Sequence, residues 1–182
     1  MAQKHFIDWV ERNGLRLRNR LNLSKYDPMN PESLAKKMGV DLFTPKDVSA
    51  LPNEILVNLL EEANENWSAG TMISHSGRPF VIYNPNHSEE RKRATLMEEL
   101  AHLDLKHKPS EFIRFNGIAF RTHKQTIETQ AYWVGSASLI PKHVLEVSVE
   151  KNISREYIAE KFLVSTALVK FRENVTGLKL AH

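Results

Sequence analysis

Glu98-Glu99-Leu100-Ala101-His102 places two carboxylates and an imidazole within five residues of a 182-residue chain. On a helix, positions four apart share a face, so Glu98 and His102 project side by side and Glu99 sits one step round. Leu96, Leu100 and Leu103 fall on the other side and can anchor the helix in a core. A polar face with two potential ligands, backed by an apolar stripe, is how a helix presents a metal ion. A zinc-peptidase helix reads H-E-x-x-H, with two histidine ligands and the glutamate as general base. Here the letters are E-E-x-x-H. Glu99 takes the base position, His102 that of the second ligand, and Glu98 replaces the first histidine. Alone this spacing is weak, because glutamate is common on helices and a solvated face is its ordinary explanation.

A second stretch adds weight. Glu128 stands near the start of ETQAYWVGSASLIP, residues 128–141. Its small residues Ala131, Gly135 and Ser138 recur at i, i+4 and i+7, which lets that helix pack closely on another. A closely packed helix that offers a carboxylate is the usual source of a third zinc ligand.

The elements that must position these residues are legible in outline. Residues 3–20 read as a helix with Phe6, Trp9, Val10 and Leu17 on one stripe, broken near Gly14. Asp27–Asn30 and Pro31 form a breaker cluster. PESLAKKMGVDL, 31–42, predicts a short helix closed by Gly39 and an extended segment after it. Pro45 and Pro52 punctuate a loop, and Ile55, Leu56, Leu59 and Leu60 make a helical stripe within 53–64. From Trp67 to Asn84 the pattern predicts two strands around a turn at Ser76-Gly77. Ser88 can cap the helix carrying Glu98, with Glu89 and Glu90 suiting its dipole. That helix is predicted to run through His107 and stop before Pro109. Residues 110–124 read as irregular or short elements, 125–139 as a helix ended by Pro141, and the tail as two helices opening at Ser154 and Ser165.

Composition sets the outer limits. Hydrophobic residues at 41% and charged residues at 26% are an ordinary globular balance, predicting one domain or one domain with a small appendage. The absence of cysteine excludes disulfide scaffolds, thiolate metal sites and cysteine nucleophiles, so any metal must be held by His, Asp or Glu. A net charge of +3 permits an acidic or nucleic-acid partner without requiring one. No apolar run approaches the roughly 20 residues of a membrane span. Residues 1–20 lack the apolar core of a signal peptide, and Asp8 and Glu11 count against a transit peptide, so a cytoplasmic location is expected.

Four stretches together resemble the ImmA/IrrE family of zincin-like metallo-endopeptidases. They are PESLAKKMGVDL at 31–42, GRPFVIYNPNHSEERKRATLMEELAHLDLKH at 77–107, ETQAYWVGSASLIP at 128–141, and IAEKFLVSTALVKFRENVTGL at 158–178. Their order and spacing span most of 31–178. The resemblance implies an α+β fold, a zincin-like helical core with a small β-sheet and a C-terminal helix-turn-helix-like segment. It suggests an N-terminal helical extension over 1–30, a metallopeptidase domain over 31–150 and a helical segment over 151–182. By position it implies His102 and Glu128 as metal ligands, Glu99 as general base and a structural role for His107. His123 is unplaced by the pattern and reads as a surface residue, with a substitute ligand as the alternative.

The family acts by cleaving a DNA-binding repressor, usually encoded nearby, which switches on mobile-element or stress genes. A repressor or other regulatory protein is therefore the implied partner, and zinc the implied metal. Glu98 is the departure. Carboxylates bind zinc, but a His-Glu-Glu set cancels the ion's double charge, weakens the acidification of water, and shifts preference toward harder ions such as manganese. The site is then either re-tuned or decayed to a metal-free pseudopeptidase that binds a regulator. The segment 154–172 offers a third expectation, DNA contact by a helix–turn–helix in which Ile158, Ala159, Phe162 and Val164 pack inward and Lys170 and Arg172 ride on the second helix. Leu163 at the turn and a small charge surplus favour a packing or partner-binding role instead.

Overall fold

A computed structural model describes residues 2–48, 53–57, 60, 67–74, 76–108, 111–115, 118–122 and 124–181. In chain order its helices are α1 (Ala2–Asn19), α2 (Pro31–Met38), α3 (Asn53–Val57), α4 (Glu89–Asp104), α5 (Gln125–Leu139), α6 (Lys142–Glu150), α7 (Arg155–Phe162) and α8 (Thr166–Thr176). The strands are β1 (Asp41–Phe43), β2 (Ala69–Ile73), β3 (Pro79–Tyr83), β4 (Glu111–Phe115) and β5 (Ile118–Thr122). The fold is α+β, with a helical core, a small sheet and a C-terminal helix pair.

Local chemistry accounts for most boundaries. The Asn30 side chain accepts from the Ser33 amide at the start of α2, and Gly39 ends that helix at φ 70°. Ser88, Ser154 and Ser165 cap α4, α7 and α8, each accepting from a first-turn amide. Gly77, at φ 81°, turns β2 into β3. The sheet order is β1-β3-β2, with β1 parallel and β2 antiparallel to β3. β3 is the central strand, and consecutive Val81 and Ile82 are both buried, as a strand covered on both faces requires. Asn84 then makes the turn toward α4. It is fully buried, its amide donates to the Ser68 carbonyl at 2.9 Å, and its Oδ1 accepts from the Asn86 amide at 2.9 Å.

α5 is the central helix. One side lies on α4, where Leu96, Met97 and Leu100 are buried, and the other on α1, where Val10 and Leu17 are buried. Phe6 stacks on Trp9 and meets Trp133 of α5 at 5.2 Å. Gly14, where the apolar stripe of α1 breaks, is the crossing point: a Cβ there would stand 2.9 Å from the Ala137 backbone. The inward set expected for the tail, Ile158, Ala159, Phe162 and Val164, is buried. Among the described residues no helix is long and apolar enough to cross a membrane.

Three local differences have physical causes. α4 ends at Asp104 rather than running through His107, because Lys106 adopts φ 55° and the His107 amide turns back to the His102 carbonyl at 3.0 Å. Asp104, whose side chain is 1% exposed, is clamped there by Arg16 at 2.5 Å and Arg20 at 2.6 Å. Of the short elements expected within 110–124, β4 and β5 pair antiparallel, with Glu111 opposite Thr122 and Phe115 opposite Ile118. α6 occupies a valine-rich stretch without a helical signature, and burial of Val144, Leu145 and Ser148 overrides propensity. On α8, Arg172 is fully buried and paired with Glu11, so it is not available on the surface with Lys170. Of the stripe expected over 53–64, the side chains of Ile55 and Leu56, and Leu59 itself, lie outside the described residues, as do Pro52, Pro109 and His123.

Gly14→Ala tests the α1–α5 crossing. The substitution gains about 1 kcal/mol of helix propensity. It also forces two backbones apart, and overpacking of this kind costs about 1–3 kcal/mol. A lower midpoint in urea unfolding is the expected outcome; an unchanged or higher one would show that the crossing relaxes freely.

Candidate functional site

Glu98 and His102 lie one turn apart on α4, and Glu128 lies in the first turn of α5. What brings them together is the approach of the two helices at Gly135. A Cβ on Gly135 would sit 3.0 Å from the Met97 carbonyl and 3.1 Å from the Glu98 nitrogen. A larger residue there would push α5, and Glu128 with it, away from α4. In the observed packing, one donor atom each from Glu98, His102 and Glu128 lies within 4.8 Å of the others. The negative end of that set is placed well on its helix, since a carboxylate in the first turn of α5 faces the positive end of the helix dipole.

His102 is buried and held at both nitrogens. Its Nε2 is 3.2 Å from Glu128 Oε2, and its Nδ1 is 3.1 Å from Nδ1 of His107. The left-handed turn at Lys106 is what returns His107 to this position. With two Nδ1 atoms in contact, one donates and the other accepts. If His107 donates, His102 carries its proton on Nε2 and donates to Glu128. If His102 donates, Nε2 presents a lone pair on the Glu128 side, the form that ligates a metal.

Glu99 takes a different direction. Thr71 Oγ1, on β2 and buried, donates to Glu99 Oε2 at 2.5 Å. Glu98 is the strained member of the group. Burial, then the charges of Glu99 and Glu128, push its carboxyl up to about 8. Burial and the charge of Glu98 also raise Tyr132. Tyr132 stands one turn beyond Glu128 on α5 and rests on Phe171 of α8 at 4.8 Å. Glu98 and Tyr132 open into a cavity of about 420 Å³ that continues past Thr95 and Arg91 to the start of α8 at Ser165.

Glu98, His102 and Glu128 could hold a metal ion. The donor set fits a divalent cation: oxygen and nitrogen atoms converge, and the buried carboxyl among like charges is what a cation would relieve. Of the residues singled out in the sequence, Glu98, His102 and Glu128 meet; Glu99 adjoins them, anchored to the sheet; His107 backs His102. Thr71 and Tyr132 carried no signal. Thr71 sits in a strand remote in sequence, and Tyr132 within a run of core-forming residues.

The profile of the family described as IrrE N-terminal-like domain, Peptidase_M78, matches residues 54–174. That range is well over half of the chain and includes α4 and α5 with all four residues discussed. No curated protein matches the sequence. The chain belongs to the IrrE N-terminal-like family of metallopeptidases.

The raised Glu98 carboxyl has a signed consequence for the metal-free protein. Its usual value is near 4.5 and its folded value about 8, so the folded state holds the proton more tightly than the unfolded state. Stability is therefore highest below the lower value and falls as pH rises through the higher one. Protein stripped with a chelator should lose stability across that range, and Glu98→Gln should flatten the decline. Urea unfolding at several pH values measures both; parallel slopes for parent and variant would remove Glu98 as the cause.

Proposed function

We propose that this chain is a regulatory metallo-endopeptidase domain of the IrrE type, acting on a DNA-binding repressor protein. The observation that supports it most is the convergence of Glu98, His102 and Glu128 from two helices, with Glu99 alongside. His102, Glu128 and Glu98 would hold the ion, with zinc the family expectation and manganese favoured by the extra carboxylate. When bound, the ion supplies Lewis-acid polarisation of the scissile carbonyl and acidifies water.

The chain's own groups do the rest. Glu99 accepts a proton from the attacking water and passes it to the departing amine nitrogen as the peptide C–N bond breaks. Thr71 donates to Glu99 Oε2 and so fixes the direction of that carboxylate. His107 fixes the ring of His102, so the lone pair at Nε2 is presented rather than searched for. Tyr132, braced by the ring of Phe171, lines the cavity beside Glu98.

A second reading has its own support. Glu98 is protonated near neutral pH in the metal-free fold, and the His102–Glu128 hydrogen bond closes the rest of the cluster. Groups of the protein thus satisfy one another within the cluster, which supports a pseudopeptidase that binds a regulator without cutting it. DNA recognition by the tail gains no such support. With Arg172 buried, the exposed residues of α8 are Thr166, Ala167, Lys170 and Asn174, a single cation where a basic stripe is needed.

Two variants separate the readings. Glu98→His replaces an anionic ligand by a neutral one and restores net positive charge at the ion. Its zinc affinity by isothermal titration should exceed that of the parent, and equal affinities would show that the second carboxylate does not weaken the site. Glu99→Gln keeps shape and hydrogen bonding but removes the base. With a repressor encoded beside the gene as substrate, cleavage should fall by about 100- to 10,000-fold while binding persists. If parent and variant both bind and neither cuts, the pseudopeptidase reading holds; undiminished cleavage by the variant removes Glu99 from the mechanism.

A further inference from the structure

Away from the carboxylate cluster, a groove of about 300 Å³ lies between α6, α7 and the loop after α1. Its floor is apolar: Val144, Ile158 and Phe162 are at most 3% exposed. Its rim is aromatic and cationic. Tyr26 and Tyr157 stand 44% and 52% exposed, large apolar rings left in water. The charged residues that line it are Lys151 and Lys161, and no carboxylate does. Neither lysine is in a salt bridge among the described residues, and Lys161 Nζ stands 6.0 Å from the Phe162 ring centre.

We propose that this groove docks an acidic, apolar peptide segment of a partner protein. The concave floor seats inserted side chains, which a flat lipid surface does not provide. Lys151 and Lys161 over that floor select carboxylates beside the apolar residues and repel a basic segment. Tyrosines at such a rim are rigid amphipathic anchors of the kind that dominate binding hot spots. The groove contains none of Glu98, Glu99, His102 or Glu128, so it serves a cutting and a non-cutting protein alike.

Fluorescence anisotropy with two labelled peptides tests this on the full chain. One peptide carries leucine and phenylalanine at i, i+3, i+4 and i+7 with glutamate elsewhere; the other has lysine for each glutamate. Wild type should bind the glutamate peptide about tenfold more tightly at low salt, a difference of about 1.4 kcal/mol. Lys151→Glu with Lys161→Glu should reverse the preference, and Tyr157→Ala, at an exposed ring, should weaken binding about fivefold or more. Circular dichroism melts check that each variant is folded. No binding, equal binding of the two peptides, or a preference that survives the charge reversal overturns the proposal. So does sedimentation showing that the reversal splits a homodimer, which makes the occupant a second copy. Vesicles of phosphatidylserine that outcompete the glutamate peptide would make it a membrane.

Discussion

The backbone of α5 rests directly on that of α4 at Gly135, and the position of every group in the candidate site follows from that contact. Glu128 is two turns before Gly135 on α5, and Glu98 adjoins the residue whose carbonyl Gly135 meets. The same helix is approached from the other side by α1 at Gly14. α5 is therefore held between two helices at less than ordinary side-chain distance. Ala131, Ala137 and Ser138, all buried, keep both faces thin. The site inherits its geometry from small residues that carry no chemistry themselves.

Buried arginines secure the far end of α5. Arg18 donates to the Ser138 carbonyl at 2.9 Å, and Arg172 Nε to the Ile140 carbonyl at 3.0 Å. Both meet the end of the helix where its dipole is negative, while Glu128 occupies the positive end. Arg172 also pairs with Glu11, and Arg18 reaches the Ser24 and Asp27 carbonyls at 2.8 and 2.6 Å. The loop after α1, the end of α5 and the start of α6 are thus tied into one polar knot. These contacts cost desolvation, which holds Arg18 below its usual range. What they contribute is a single register between α1, α5 and α8.

The sequence carried the parts of this structure that are decided locally. Serine caps at 88, 154 and 165, the glycine stop at 39 and the turn at Ser76-Gly77 are choices of one or two residues, and each is visible as such. The Glu98–His102 face is equally local, because helical spacing alone sets it. The small-residue stripe on α5 announced a close contact, but only the family pattern said with which helix. What was not legible depends on tertiary context. α6 carries no helical pattern in the sequence and is settled by the burial of Val144 and Leu145. The end of α4 turns on Lys106, a residue with no preference for the left-handed region. Thr71 meets Glu99 across elements 28 residues apart, and the fate of Arg172 is decided by Glu11, at the opposite end of the chain.

The pair of imidazoles behind the cluster ties any ion held by Glu98, His102 and Glu128 to the placement of protons. Without an ion, one proton lies on Glu98 and another can sit at His102 Nε2, facing Glu128. A cation held there would displace the first and require the other tautomer pair, in which His102 Nδ1 donates and His107 Nδ1 accepts. Ion uptake would then release a proton, and acid would compete with the ion for the same atoms.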